Sequence, residues 1–183
     1  MDNGDFFPPI TSRGNLATAG SYAVRLIDGG FVTRPEDFLC PASEQARDAA
    51  GYRVPTVREV ELAAGEQLAE LQRTMGGSFG YNLGYMAGDA YQTVRNRRRP
   101  NFAILADTPS LTLPNRQSEN HGGCGQNVLY EDGHVEFLTS CTSAGCRDNI
   151  YQNDEGYMAA GSHANDAVLG HSAARPLFRF VSQ

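Results

Sequence analysis

The sequence predicts a mixed fold of the α+β class, and three observations carry that prediction. Residues 57–75 show the three-and-four apolar spacing of an amphipathic helix. Residues 101–107, NFAILAD, form the short apolar run of a buried strand. Residues 126–138 place two alternating segments around Asp132-Gly133, a strong hairpin signal. With 183 residues, 40% hydrophobic and 20% charged, the chain suits a single globular domain over residues 1–183.

The first third of the chain predicts short elements. Residues 1–20 are polar and rich in turn formers, and no periodic element is expected there. Residues 21–27, SYAVRLI, fit a short helix or strand that the following DGG ends. Residues 36–43, EDFLCPAS, form an apolar turn that Pro41 ends, and a loop is expected over residues 44–55.

One helix is predicted over residues 57–75. Thr56 and Glu59 fit a capping box, because each side chain can bond to the backbone amide of the other. Gly76 and Gly77 supply a left-handed stop. The apolar positions form one buried stripe: Val57, Val60, Ala64, Leu68, Leu71 and Met75.

The middle of the chain predicts strands. Residues 78–86 mix aromatic residues with Gly and Asn, so a strand broken by bends is expected. Residues 95–100, RNRRRP, are interpreted as a solvated hairpin tip, with a site for nucleic acid or anionic lipid as the alternative. Asp107 is expected to end the strand at 101–107.

The hairpin around Asp132-Gly133 is expected to have a two-residue loop, so that Glu131 pairs with His134. Alternation then gives two faces. One face would carry Val128, Tyr130, Val135 and Phe137, and the other Asn127, Leu129, Glu131, His134, Glu136 and Leu138.

The C-terminal part, 147–175, is predicted to be loop-rich, with a final strand in LFRFVS. Long loops inside compact domains are often functional or stabilised by a ligand. Here RDNIYQNDEG offers hard oxygen ligands for calcium, although its spacing is not that of an EF-hand. The candidates are Asp148, Asn149, Asn153, Asp154 and Glu155, and a solvated acidic loop is the alternative.

Composition excludes some functions. All 15 basic residues are arginine, so a lysine Schiff base and a Walker lysine are impossible. A net charge of -6 argues against nucleic acid as a partner. Neither a membrane-spanning apolar run nor a signal peptide is found. The chain is therefore expected to be cytosolic, or a soluble piece that follows an anchor.

Four cysteines leave three possibilities open. Cys141 and Cys146 bracket TSAG, and this spacing suits a disulfide, free thiols or half of a zinc site. We expect the disulfide. A zinc site would require Cys40 or Cys124 to converge with a histidine such as His121 or His134.

The stretch NHGGCGQNVLYEDGHVEFL, residues 120–138, resembles a catalytic cluster at first sight. The chain lacks the G-x-S-x-G and H-E-x-x-H motifs, and His134 is explained as a cross-strand partner of Glu131. We expect His121 to hold the glycine loop by a hydrogen bond to a carbonyl or to Asp132, with a metal or catalytic role as the alternative.

The same stretch resembles the signature of the bacterial prepilin-like H-X9-DG family, which is a histidine, about nine residues and Asp-Gly. The matching positions are His121, Gly122, Gly123, Asp132, Gly133 and His134, and the spacing is one residue longer than the family name implies. EDFLCPAS, FGYNLGY and IYQNDEGYMAAGSHANDAVLGHSAARP resemble other family segments in the same order, so that the likeness spans about residues 36–176.

The resemblance implies a pseudopilin-like antiparallel sheet packed on a helix, on the periplasmic or extracellular side of the cell envelope, and it suits a disulfide. Such proteins are held in the membrane by an N-terminal helix, and MDNGDFFPPI looks like the segment after it. The expected function is a non-catalytic minor subunit of a type II secretion or type IV pilus-like filament, with other pilin-like subunits or secretion-system proteins as partners.

Two alternatives remain. The chain could be an extracellular module that binds a surface polymer through the aromatic segment 79–91 and the arginine cluster. It could also be a metal-dependent enzyme that uses His121, Asp132 and His134. Calcium is the one cofactor suggested, because secretion-type pseudopilins can bind it in a C-terminal loop.

Overall fold

The computed structural model describes residues 5–142 and 148–177, and its centre is a five-stranded antiparallel sheet. The strands are β1 (Phe79–Asn82), β2 (Tyr85–Ala87), β3 (Ala90–Gln92), β4 (Ala103–Asp107), β5 (Gln126–Tyr130), β6 (Val135–Leu138) and β7 (Leu169–Gly170). The sheet has the order β6-β5-β4-β1-β7, while β2 and β3 form a separate hairpin. The predicted α+β class and antiparallel sheet are therefore confirmed.

In the described ranges, three α-helices and three short 3-10 helices accompany the sheet. The α-helices are α1 (Ser21–Asp28), α2 (Val57–Leu62) and α3 (Gly65–Thr74), and the 3-10 helices are Pro35–Phe38, Gln45–Gly51 and Asn120–Gly123. None of the helices in the described ranges has the length and apolar character needed to cross a membrane. Of the predicted final strand, all but Leu177 lies outside the described residues.

Helix α1 packs on the sheet. The Tyr22 ring stacks on the Tyr81 ring of β1 at a centroid distance of 4.7 Å and meets Phe38 edge-on at 5.6 Å. Val24 instead joins Val60 and Met75 in a second buried cluster. The strongly periodic segment at 57–75 therefore contacts α1, and α1 rather than that segment supplies the aromatic contact with the sheet.

The single helix predicted over 57–75 is wrong, because the helix breaks after Leu62. Ala63 and Ala64 are extended and Gly65 has φ +56°. The Asn15 side-chain amide donates to the carbonyls of Val60 at 2.9 Å, Glu61 at 3.2 Å and Ala63 at 2.9 Å. These bonds satisfy carbonyls at the end of α2 that a continuing helix would have satisfied.

The predicted start and stop of this segment are confirmed. The Glu59 amide donates to Thr56 Oγ1 at 3.2 Å, and the Thr56 amide donates to Glu59 Oε2 at 2.7 Å. This second bond holds the pKa of the Glu59 carboxyl below its usual value. Gly77 adopts φ +65° just beyond the last turn.

The hairpin is where it was predicted, but its register differs by one residue. Tyr130 pairs with His134, because the Tyr130 amide donates to the His134 carbonyl at 3.0 Å and Gly133 donates to Tyr130 at 2.9 Å. The loop therefore has three residues, with Gly133 at φ +95°. Glu131 does not pair with His134, because its amide donates instead to the Phe102 carbonyl at 2.9 Å.

This register changes both faces of the hairpin. Val128 lies opposite Glu136, and Leu129 lies opposite Val135, so the predicted grouping of Val128 with Val135 is wrong. His134 shares the face of Tyr130, where the two rings stack at 4.5 Å.

One row of apolar side chains crosses the sheet on the face that α1 covers. Direct cross-strand pairing joins Tyr81, Leu105, Leu129 and Val135 in that order. Their exposure rises along the row: Tyr81 is buried, Leu105 and Leu129 are half-buried, and Val135 is 61% exposed. The apolar face therefore continues beyond the cover that α1 provides and ends at the edge strand β6.

Arg99 departs from the solvated tip predicted for residues 95–100. Its guanidinium bonds both carboxylate oxygens of Glu131 at 2.8 Å and lies 3.5 Å over the centre of the Phe102 ring. The Glu131 side chain is completely buried. Arg97 and Arg98 are exposed as predicted.

Candidate metal centre

Three potential metal ligands from distant parts of the chain converge at one end of β4 and β5. His121 Nε2 lies 3.4 Å from Cys40 Sγ and 3.2 Å from Asp107 Oδ2. In the described part of the chain, Cys40, Asp107 and His121 form such a group, because one ligand atom from each lies within 4.8 Å of the other two. Cys40 and Asp107 are buried, and the His121 side chain is 28% exposed.

The fold positions Cys40 and Asp107 by hydrogen bonds. The Cys40 amide donates to Ser78 Oγ at 2.6 Å, which ties the turn after the 3-10 helix Pro35–Phe38 to the start of β1. Asp107 ends β4, where its Oδ1 accepts from the Asn120 side chain at 3.0 Å and its Oδ2 from the Asn127 amide at 2.7 Å. The buried carboxylate therefore has donors on both oxygens, as a buried charge requires.

His121 is carried by the glycine loop before β5. It adopts the left-handed conformation at φ 55°, ψ 30°, which histidine adopts more readily than most residues with a Cβ. Gly122 and Gly123 continue at φ 66° and 73°. The His121 imidazole lies edge-on to the Phe137 ring, with the two ring centroids 5.8 Å apart. The loop therefore places the imidazole beside strand β6. The glycines of the motif thus shape the loop that directs His121 towards Asp107.

The proposed set of His121, Asp132 and His134 is divided between the two ends of β5. Asp132 Oδ1 contacts His134 Nδ1 at 2.6 Å and accepts from the His134 amide at 3.1 Å in the hairpin loop. These bonds lower the pKa of the Asp132 carboxyl. His121 instead contacts Asn127, near the first residue of the strand. A single active site built on these three residues is therefore not formed.

The hydrogen atoms around His121 Nε2 cannot satisfy every contact. Asn127 Nδ2 lies 3.0 Å from Nε2 and 3.2 Å from Asp107 Oδ2. An unprotonated Nε2 can accept from Asn127 but then faces the carboxylate oxygen with no proton between them. A protonated Nε2 can donate to Asp107 but then faces the amide donor. Three electron-pair donor atoms, Nε2, Oδ2 and the nearby Cys40 Sγ, are thus brought together at this point.

The arrangement is not that of a nucleophile–base–acid triad. In a triad the histidine contacts the nucleophile with one ring nitrogen and the acid with the other. Here both Cys40 and Asp107 contact Nε2. Burial also raises the pKa of the Cys40 thiol, and a protonated thiol is a poor nucleophile. The geometry therefore differs from that of a triad and brings three potential metal ligands together.

The other cysteines lie apart from this cluster. Cys124 is exposed, and the buried Cys141 thiol donates to the Asn115 carbonyl at 3.0 Å. Burial raises the pKa of Cys141 to about 11. Cys146, the expected disulfide partner of Cys141, lies outside the described residues. Of the two cysteines considered for zinc, the fold brings Cys40 to His121.

The predicted calcium ligands are divided between a cavity and the surface. A cavity of about 410 Å³ is lined by the side chains of Asp148, Asn149, Gln152, Asn153, Asp154, His163, Asn165 and Asp166. Glu155 is exposed, and its amide donates to Asn153 Oδ1 at 3.1 Å. Asp166 was not among the predicted ligands, although it is the most deeply buried acid of the cavity.

Asp107 is the residue of the cluster that the sequence did not reveal as a ligand. It was interpreted only as the end of a strand. A signal was present, because an acid that ends an apolar run must find donors once the strand is buried.

Comparisons of the chain with protein-family models, curated proteins and solved structures find no match.

Proposed function

We propose that the chain is a non-catalytic interaction subunit, a pseudopilin-like minor component of a type II secretion or type IV pilus-like filament on the outer side of the cytoplasmic membrane. The motif order described above supports this proposal, and one structural observation carries it. The edge strand β6 ends an apolar row and presents Val135 and Phe137 to solvent, 61% and 47% exposed.

An open edge strand is suited to pairing with another chain. Among the described residues, β6 pairs only with β5, so its outer backbone groups are free to extend the sheet. Soluble proteins commonly protect such edges with lysine or proline, and β6, VEFL, has only Glu136. A neighbouring subunit that lies against β6 would cover both the backbone groups and the exposed apolar side chains.

The surface-polymer alternative has less support. The arginine cluster that it requires loses Arg99 to the buried pair with Glu131. Arg95 lies 4.4 Å over the Phe6 ring, so a second guanidinium is also occupied by an intramolecular contact. Arg95, Arg97 and Arg98 are exposed, and of these Arg95 is the one that lies over an aromatic ring.

The change Val135→Glu tests the proposed assembly. A charge buried without a partner opposes association, so incorporation of the full-length protein into filaments of the producing cells should fall roughly tenfold or more. Val135 is exposed in the single chain, and its thermal stability should stay unchanged. Mass spectrometry of the sheared filament fraction provides the measurement.

Leu111→Glu is the matched control, because Leu111 is 60% exposed and lies outside the strands. Incorporation of the Val135 variant at the wild-type level would show that β6 is not the contact. Absence of the wild-type protein from any filament, together with binding to isolated cell-surface polymer, would favour the alternative function.

We further propose that calcium binds in the cavity of Asp148, Asp154 and Asp166. Asp166 is 1% exposed, and its Oδ1 is buried with no hydrogen-bond partner. Its Oδ2 accepts from the amides of Ser162 at 2.6 Å and Asp154 at 3.2 Å. Burial, followed by the negative charges of Asp166 and Asp154, raises the pKa of Asp148. A divalent cation would satisfy the free oxygen and relieve the repulsion.

Calcium at a hundredfold excess over its dissociation constant should raise the melting temperature by about 5–10 °C relative to chelated protein. Asp166→Asn should abolish the shift, whereas Glu155→Gln should retain it because Glu155 is exposed. Differential scanning calorimetry gives the melting temperatures. Identical melting curves with calcium and with chelator would exclude the site, as would an undiminished shift in Asp166→Asn.

A further inference from the structure

We propose that Cys40, Asp107 and His121 bind one zinc ion through Sγ, Oδ2 and Nε2. The site is separate from the calcium cavity, and the His121 ring contacts Phe137 of the edge strand. It joins the turn after the first 3-10 helix, the end of β4 and the glycine loop before β5.

The two distances from His121 Nε2 are close to those between ligand atoms around zinc. Zinc–sulfur bonds of about 2.3 Å and zinc–nitrogen or zinc–oxygen bonds of about 2.0–2.1 Å, at tetrahedral angles, place ligand atoms about 3.3–3.6 Å apart. Nε2 lies 3.4 Å from Sγ and 3.2 Å from Oδ2. Sγ and Oδ2 lie within 4.8 Å of each other, so an ion can be coordinated once these two atoms reach a tetrahedral spacing.

The donor set favours zinc over the other common cations. Calcium and magnesium prefer oxygen ligands alone, and a thiol with an imidazole is a poor site for either. Zinc accepts sulfur, nitrogen and oxygen donors in the same tetrahedral site. A zinc ion with one thiolate and one carboxylate is also electrically neutral as a group, which lowers the cost of its burial.

A bound cation also removes the conflict at Nε2. It accepts electron pairs from Nε2 and Oδ2 together, so that no proton is needed between them. Asn127 stands 3.0 Å from Nε2, and a half-turn of its amide would present Oδ1 as a fourth ligand. Otherwise water fills that position.

Two features lie between the cluster and solvent. One is the partly exposed imidazole of His121. The other is a cavity of about 590 Å³ that Ser78 and Asn120 help to line. Ser78 accepts from the Cys40 amide, and Asn120 donates to Asp107, so this cavity borders the site. An ion could enter at the exposed imidazole, which lies 3.4 Å from the buried thiol.

The experiment measures zinc and cobalt binding to the purified chain in the presence of reductant. We expect one zinc per chain by elemental mass spectrometry after dialysis, and a thiolate-to-cobalt charge-transfer band when cobalt replaces zinc. Cys40→Ser should remove the band, and Cys40→Ser and His121→Asn should each weaken zinc binding by about 100-fold or more. Asparagine suits the left-handed backbone at residue 121.

Cys124→Ser and His134→Asn are the matched controls, because both residues lie outside the cluster and should bind zinc as the wild type does. Circular dichroism of each metal-free variant shows whether it is folded. Zinc should raise the melting temperature of the wild type by about 5–10 °C and leave that of folded Cys40→Ser unchanged. A wild type that retains no zinc overturns the proposal. So does cobalt absorption that persists in Cys40→Ser or is lost in Cys124→Ser.

Discussion

Arg99→Ala is expected to lower the free energy of unfolding by about 3–5 kcal/mol, the cost of leaving a buried charge without its partner. The Glu131 side chain is completely buried, and Arg99 bonds it through the backbone amide, Nε and Nη2, each at 2.8 Å. The variant retains the amide bond but leaves the carboxylate without a countercharge. It also loses the contact of the guanidinium with Phe102. Urea unfolding followed by circular dichroism measures the difference.

Arg97→Ala is the control, because Arg97 is an exposed neighbour in the same cluster and should change stability by less than about 0.5 kcal/mol. Equal stabilities of the two variants would mean that the Arg99–Glu131 pair does not hold the hairpin loop. Arg99→Ala with Glu131→Gln should recover part of the loss, since the buried charge is then removed from both sides.

Gly77→Ala is expected to cost at least about 3 kcal/mol, through strain at a positive φ and a collision with the backbone. Gly77 has φ +65°, and a Cβ there would lie 2.1 Å from the Phe38 carbonyl oxygen. That oxygen also accepts from the Ser78 amide at 3.1 Å. The turn that carries Phe38 and Cys40 would have to move, and thermal unfolding provides the measurement.

Gly30→Ala separates the two causes, because Gly30 has a similar φ of +71° and open space around its Cβ position. Strain alone should cost this variant about 1–2 kcal/mol. Were Gly77→Ala to lose no more than Gly30→Ala, the contact with Phe38 would not be rigid. The comparison therefore measures how firmly the segment that bears Cys40 is held.

Local sequence signals predicted where helices and strands form better than they predicted where a helix breaks or how strands pair. The capping box at Thr56, the strand ending at Asp107 and the hairpin at Asp132-Gly133 each depend on neighbouring residues, and each is found. The hairpin register was missed because Glu131 is held by Arg99 and Phe102, which no local turn rule includes. The break after Leu62 was missed for a similar reason, since its cause is the side chain of Asn15.

The candidate metal centre was only partly predictable. The need for Cys40 or Cys124 to meet His121 or His134 followed from ligand chemistry, but the choice between them depends on which turn lies beside β1. The role of Asp107 depends on β4 and β5 being neighbours, because its carboxylate accepts from the backbone amide and the side chain of Asn127 in β5. The order of the strands in the sheet sets such contacts, and local patterns in a single sequence do not predict that order.

The cap that Asn15 places on α2 has a consequence for the order of folding. Asn15 precedes Val60 by 45 positions, so these hydrogen bonds form only after a long loop has closed. The turns of α2 and α3 need contacts only a few residues apart and form on a much faster timescale. We therefore expect the boundary between the two helices to be fixed late in folding, when the N-terminal segment docks.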